Sequence, residues 1–481
     1  MAQQGAVAQR KAWWLSTVGA VIGLLVFVAL VIGLEIVLKP SPAGTGMLLI
    51  GVILALIPAI LWLVVFYAQD RLEPEPKSEV VKIFFIGLAL AAAFGVPLTD
   101  QLFGVQSWIN RGPLAMVLGS IFVIGAVEAF AVYAAVRFFI YESSEFDERT
   151  DGMVYGTAAG LGYATALNIQ FILGSGGAAF GTATVYIVEA ALAHAAFAGV
   201  LGYFLGRAKL ERERIWWLPL GLLLSTLLNG VFNILRNQLE VGSISIGPGS
   251  PVPALWGLIL AGALAVVVAL VVAFLIHRDV ALARSNKLPP AALDAAVGDR
   301  RSNWAVVATF AVLMIVGIVS AVAITNQTTA FSTAGFQGAY PADFGRERED
   351  KLTPPVVFQA SDVLDTGAQF VIQKRAIEGE AADAARIAND LAGERATEFD
   401  VYQVWDKGEA TVSGKPALTQ RFAYVDARVS VKQLPQVVEG MDYIVVEGNQ
   451  AAVITLLADP DAMLVAEPLF LRFVNGLSIS F

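Results

Sequence analysis

The 481-residue chain has no cysteine, only two histidines, and little charge: Asp, Glu, Lys and Arg together make up 15%. Without cysteine there can be no disulfide, no thiolate metal site and no thiol nucleophile. The net charge of −9 comes with no sustained basic stripe, which argues against a nucleic-acid partner. A soluble domain carries about 25% charged residues. The shortfall here is confined to residues 1–325, where long apolar runs replace charge; residues 326–481 read as an ordinary soluble domain.

A helix that crosses a bilayer needs about 20 apolar residues. Nine runs qualify, at 13–37, 46–68, 80–98, 113–140, 151–173, 182–206, 215–236, 252–276 and 304–324. Tryptophans at 13, 14, 62, 216, 217, 256 and 304 sit near run ends, where amphipathic rings anchor at the interface. The stretch 285–303 reads as a polar loop. Arg10-Lys11 ahead of the first run resembles a signal peptide, but that run is too long and lacks a small-residue cleavage pattern, so it reads as an uncleaved helix. Lys and Arg divide between alternate loops 16 to three, the three being Lys39, Arg111 and Arg236. That asymmetry places the N-terminus inside and, after nine spans, the C-terminal domain outside. The expected organisation is therefore an α-helical polytopic membrane domain over 1–325, a linker over 326–345, and a soluble α+β domain over 346–481. In the last, 378–393 fits an amphipathic helix, four strand-like runs come next, and 461–477 reads as a final helix. This order resembles a PsbP/Mog1-like sandwich. The domain lacks histidine, so any catalytic site in it would rest on carboxylates alone.

An ionisable group in the middle of a membrane helix is costly and marks a functional candidate. Glu128 lies about 22 Å and His194 about 18 Å from the expected outer ends of their helices, at 1.5 Å per residue. Asn168, Asn229 and Asn233 lie in the fifth and seventh runs, the last two one turn apart on one face. Intramembrane asparagines also serve as interhelical hydrogen-bond glue, and a single histidine can be structural. Glu189 is five positions from His194, hence about 140° away around the helix, and does not share its face.

Four local strings then carry a family resemblance: DRLEPEPK at 70–77, EFDERTDGMVY at 145–155 running into GTAAGLGYATALNIQF, HAAFAGVLGYFLGRAKL from His194, and NGVFNIL from Asn229. In order and spacing, residues 60–240 resemble the PrsW family of intramembrane metalloproteases. The resemblance implies a bacterial cytoplasmic-membrane protein that cleaves membrane-anchored substrates such as anti-sigma factors in envelope signalling. It also implies a site in which carboxylates and two histidines hold zinc and a water, with Glu128 as the catalytic candidate and Glu128 and His194 as metal ligands.

Several motif positions depart from the family. Its paired glutamates appear here as Glu128 and Ala129, and the lysine three positions on is Val132. The glutamate before Asn168 is Leu167. The second histidine is Asn229, with Gly230 and Asn233 after it. Ala, Leu and Val cannot ligate a metal, and an amide oxygen is a poor zinc ligand. The departures predict an inactive homologue that scaffolds or binds a membrane or extracytoplasmic protein within the bilayer, needing no cofactor. The alternatives are an active protease with an altered site, which would need zinc, and a transporter, for which no internal repeat is visible.

Overall fold

A computed structural model describes residues 22–34, 36–37, 45–67, 75–174, 180–211, 213–241, 255–285, 295–362, 368–377, 383–399, 401–426 and 436–481. The chain divides into two compact units, Met1–Val322 and Ala323–Phe481.

The first unit is a helical bundle. Its described helices are α1 (Ile22–Leu34), α2 (Thr45–Tyr67), α3 (Lys77–Leu90, continuing in π-type turns to Leu102), α4 (Pro113–Phe139), α5 (Arg149–Gly174), α6 (Phe180–Leu210), α7 (Trp217–Val241), α8 (Leu255–Arg284) and α9 (Ala295–Thr325). Seven contain a segment long and apolar enough to cross a membrane. The other two are α1, a shorter apolar helix, and α5; the first expected run, 13–37, lies partly outside the described residues. The chain is a polytopic membrane protein. The modest hydropathy of α5 has a structural cause: every residue from Asp151 to Thr165 is buried. A helix wrapped by other helices needs small side chains more than lipophilic ones.

Glycine does that packing. On α5, Gly152, Gly156 and Gly160 recur every four residues and face Ala198, Gly202 and Gly206 of α6. A Cβ on Gly202 would overlap the Gly152 carbonyl, and one on Gly160 would stand 2.5 Å from the His194 carbonyl oxygen. Gly162 meets the backbone of α3 at Phe84, and Gly125 of α4 meets α7 at Thr226, in the same way. Backbones this close allow dispersion contact along the whole interface, which is what holds helices together in lipid.

Two expectations are corrected here. The polar loop 285–303 is helical from Ala295 onward, where Ala295, Ala296, Arg300 and Arg301 favour helix despite the charges; its residues 286–294 lie outside the described residues. The linker 326–345 is instead strand, β1 (Thr328–Thr333) and β2 (Phe336–Pro341), with β3 (Phe344–Arg346) close behind. Its Thr, Ser and Gly content suggests flexibility, but Phe331, Phe336, Tyr340 and Phe344 are buried. Ala334 and Gly335 close the hairpin at positive φ, 49° and 93°.

The second unit is a soluble α+β domain. A seven-stranded antiparallel sheet runs β3-β4-β5-β9-β8-β7-β6, where β4 is Val356–Asp362, β5 Gln369–Ala376, β6 Tyr402–Val412, β7 Lys415–Asp426, β8 Gln436–Glu447 and β9 Gln450–Ala458. β10 (Ser478–Ile479) pairs with β2 in a small second sheet. Two helices cover the large sheet. α10 (Ala384–Glu398) starts where Asp383 accepts the Arg386 N–H at 2.8 Å, six residues later than the helix read from the sequence; its Ile387, Ala388 and Leu391 bury against Ile444 and Val453. α11 (Pro460–Asn475) buries Phe470 and Phe473 against Phe358 and Phe370 on the opposite face. Asp442, fully buried on β8, receives a two-pronged bond from Arg395 (2.6 and 3.0 Å), with Gln420 and Thr455 completing its shell.

Two glycine substitutions separate packing from propensity. Gly202→Leu inserts a side chain where backbone already sits and costs at least about 1–3 kcal/mol. Gly393→Ala lies in open space on α10 and raises stability by about 0.5–1 kcal/mol. Thermal unfolding of the detergent-solubilised chain, monitored by the fraction remaining monodisperse, checks the first; unfolding of the C-terminal unit checks the second.

Candidate functional site in the helical bundle

Glu128 and His194 meet inside the bundle, from α4 and α6, with Oε2 and Nδ1 3.7 Å apart. Both side chains are more than nine-tenths buried. A π-type segment, Gly119–Gly125, immediately precedes the α4 turn that carries Glu128. The extra residue per turn rotates the Glu128 turn relative to its place on a regular α-helix, a device common at functional sites. The glycine contact between α5 and α6 fixes the other partner, because the carbonyl of His194 itself packs on Gly160. The imidazole stands between Tyr163 and Phe232, with ring centroids 6.1 and 6.2 Å away.

A cavity of about 550 Å³ opens onto Glu128, the carboxylate of this pair. Glu128, Tyr163, Leu167 and Asn233 line its inner part, and Thr99, Asp100, Gln106 and Gln170 line its polar walls. Gln170 donates to Asp100 at 3.3 Å, and Asn233 donates to Ser120 at 2.9 Å. Sequence reasoning misses Asp100, Gln106 and Gln170. They lie near helix ends, where polar residues are ordinary, and Asp100 belongs to the π-type extension of α3 beyond the expected 80–98 span. Near the same region the Arg236 guanidinium rests 4.7 Å from the Tyr186 ring centre and 5.9 Å from those of Phe171 and Phe232.

The remaining sequence candidates separate. Asn168 does not line the cavity; it donates to the Ile187 carbonyl at 3.3 Å and so joins α5 to α6. Asn229 donates to Ser225 on its own helix at 3.1 Å, leaving its buried Oδ1 unpartnered. Ala129 and Val132 belong to an apolar cluster with Ile83, Tyr133, Ala158 and Ala159. Of the substituted positions, Leu167 is the one exposed to the cavity. Glu189 faces α8, where a Cβ on Gly262 would touch its carboxylate at 3.6 Å, and neither carboxylate oxygen has a hydrogen-bond partner among the described residues.

The comparisons with known proteins fall on this bundle. The family described as PrsW family intramembrane metalloprotease matches residues 75–247. Protease PrsW of Geobacillus kaustophilus is 32% identical over 177 residues, 37% of this chain and 75% of that protein. Protease PrsW of Bacillus subtilis is 29% identical over 185 residues, 38% of this chain and 81% of that protein. This chain belongs to the PrsW family. Solved structures match about a third of the chain at low overall similarity. A cyanobacterial PsbP from Synechocystis is 11% identical, covering 32% of this chain and 92% of its own, with a TM-score of 0.26. The Ran-binding protein Mog1p of Saccharomyces cerevisiae is 10% identical, covering 32% and 95%, with a TM-score of 0.25.

A PrsW-family metalloprotease implies a metal ion, and the donors present do not fit one. Among the described residues no three His, Asp or Glu side chains are placed to hold a metal ion together. Glu128 and His194 supply two donors, and the cavity wall at the next motif position is the alkyl chain of Leu167. A catalytic zinc takes three protein ligands and a water.

Glu189 gives a test of the surroundings. A buried carboxyl without partners is costly, and an apolar side chain of similar length removes that cost. Glu189→Met raises stability by about 1–3 kcal/mol, read as an increase in the Tm of the solubilised protein. A fall in Tm would show that the carboxylate has a partner.

Proposed function

We propose that this PrsW-family chain has lost metalloprotease chemistry and binds a membrane or extracytoplasmic protein partner as a scaffold or regulator. The observation that carries this reading is the isolated Glu128–His194 pair, two donors whose carboxylate lines a cavity that the next motif position meets with Leu167. A zinc-activated water needs a third strong ligand to hold the ion and a base to take its proton. The polar cavity is retained, and its Gln106, Gln170 and Asn233 amides offer both donors and acceptors suited to a peptide backbone.

The bundle lies in the bacterial cytoplasmic membrane with its N-terminus inside, on the support of the lysine and arginine asymmetry. The C-terminal domain is then extracytoplasmic and serves as the recognition module. Its buried charge is committed to its own fold through the Arg395–Asp442 pair, which leaves recognition to its surface.

One observation favours a second reading, an active protease of membrane-anchored substrates with an altered zinc site. Glu128 and His194 still face each other, and Asn229 Oδ1 is an uncommitted buried oxygen.

Zinc retention decides between the two. The purified full-length protein is incubated with zinc chloride, desalted and assayed for metal. Substoichiometric zinc is expected for the natural chain, and stoichiometric zinc for Leu167→Glu/Asn229→His, which returns two strong donors to the motif positions. Stoichiometric zinc in the natural chain, lost in His194→Ala, would overturn the inactive reading in favour of the protease.

A further inference from the structure

The loss of metal ligands does not account for the charge of the cavity wall. Its described lining residues include two carboxylates, Asp100 and Glu128, and no lysine, arginine or histidine. Asp100 is exposed at the mouth, where the α3 extension and α5 both end, beside the exposed amides of Gln106 and Gln170. Its two oxygens accept only neutral donors, the Thr99 hydroxyl and the Gln170 amide, each at 3.3 Å. Glu128 lies deeper and is 7% exposed. It accepts no hydrogen bond among the described residues; His194 stands at 3.7 Å, past hydrogen-bond length.

The basic groups of this region are engaged outside the wall. Arg236 rests its guanidinium on the rings of Tyr186, Phe171 and Phe232, and Arg111 donates to the Ser107 carbonyl at 2.9 Å. A carboxylate without a donor is costly in apolar surroundings, and a cationic donor offsets that cost more fully than a neutral one. A cleft lined by charge of one sign between low-dielectric walls concentrates ions of the other sign. Tyr163 and Phe171 add two aromatic rings to the wall, a surface that attracts cations.

We propose that the cavity receives a lysine or arginine side chain of the bound segment, with Glu128 as the acceptor for its cationic head and Asp100 as the carboxylate it passes at the mouth. The proposal rests on the reading of this chain as a binder of a protein segment, and it specifies what that segment carries. The Gln106 and Gln170 amides meet the backbone of the segment, while the two carboxylates select its side chain. The 550 Å³ space lies within the range of about 300–1,000 Å³ typical of ligand pockets.

Fluorescence anisotropy of labelled Ala-Ala-X-Ala-Ala pentapeptides on the full-length solubilised protein tests the selection, with EDTA present to keep metal out of the cavity. Two pairs differ chiefly in charge at X: arginine against citrulline, and lysine against N-acetyl-lysine. The cationic member of a pair should bind about tenfold more tightly than the neutral one. Glu128→Gln keeps the size of the side chain and removes its charge, so the ratio should fall toward one. Asp100→Asn changes an exposed residue and should lower the ratio by a smaller factor, a readout that does not depend on Glu128→Gln folding. Leu167→Trp fills the cavity and should abolish binding of every peptide. Peptides that bind the natural chain without preference in either pair, or a preference that survives Glu128→Gln, would overturn the selection and leave the binding of a segment standing. If no peptide binds, or Leu167→Trp leaves binding intact, the reading of the cavity as a peptide site falls as well. Unlabelled methylguanidine separates a side chain from a free cation: displacement at the same concentration as the unlabelled arginine peptide would assign the cavity to a free cation and overturn the role of the segment.

Discussion

The contact of one helix backbone against another, along the glycine and alanine faces of α5 and α6, is the constraint on which the membrane unit depends. In lipid there is no gain from hiding apolar surface, so helices associate through close dispersion contact and buried hydrogen bonds. Gly152, Gly156 and Gly160 let α6 approach until carbonyls meet Cα atoms, and the contact ends on the carbonyl of His194 itself. The position of the imidazole is thus fixed by main chain against main chain. The same device seats α3 on α5 at Gly87 and Gly162, and α4 on α7 at Gly125 and Gly230. Both sides of the Glu128–His194 pair are held in this way, one through α4 on α7 and the other through α6 on α5.

This packing also explains which elements are legible in the sequence. Lipid-facing helices must be apolar, and seven announce themselves by hydropathy. The central helix α5 is hidden from lipid, and its threonines and glycines lower its apparent apolarity. Glu128 and His194 stand out because charge and imidazole are costly in the middle of apolar runs. Asp100, Gln106 and Gln170 do not, because the same residue types at helix ends carry no cost. Asp100 sits in the π-type turns that end α3, and a π-turn leaves no periodic signal in a short segment.

In the soluble unit the sequence misleads in the other direction. Residues 326–345 suggest a linker because Thr, Ser, Gly and Ala outnumber bulky residues. Few aromatics are enough when alternation sends them to one side, and Phe331 stacks on Phe358 with ring centres 4.1 Å apart. Composition reports an average, whereas a strand needs only every second residue to be apolar. The long strands β7, β8 and β9 are legible because their alternating or continuous apolar runs extend over nine residues or more.

The two acidic features of the bundle differ in a way that bears on what the family scaffold has kept. Around Glu75 and Asp151, at the starts of α3 and α5, the carboxylates find donors: Asp151 accepts the backbone N–H groups of Asp147 and Glu148, and Glu75 accepts the Tyr155 phenol. Around Glu128 they do not: its carboxylate faces an imidazole at 3.7 Å, beyond hydrogen-bond length, and opens onto a cavity. A connected network stabilises a fold, while a half-satisfied one costs stability and persists where something else requires it. Leu167, Ala129 and Val132 show that neutral side chains are accepted at neighbouring motif positions. That Glu128 and His194 remain polar in the same surroundings indicates a demand on the cavity that packing alone does not impose. Water entering a 550 Å³ space with amide walls can solvate Glu128, and a polar segment that displaced that water would meet the same donors and acceptors. Holding a peptide calls for matched hydrogen-bonding groups, which the cavity walls supply, whereas hydrolysis calls in addition for a third strong ligand at a metal, which no further His, Asp or Glu among the described residues supplies beside Glu128 and His194.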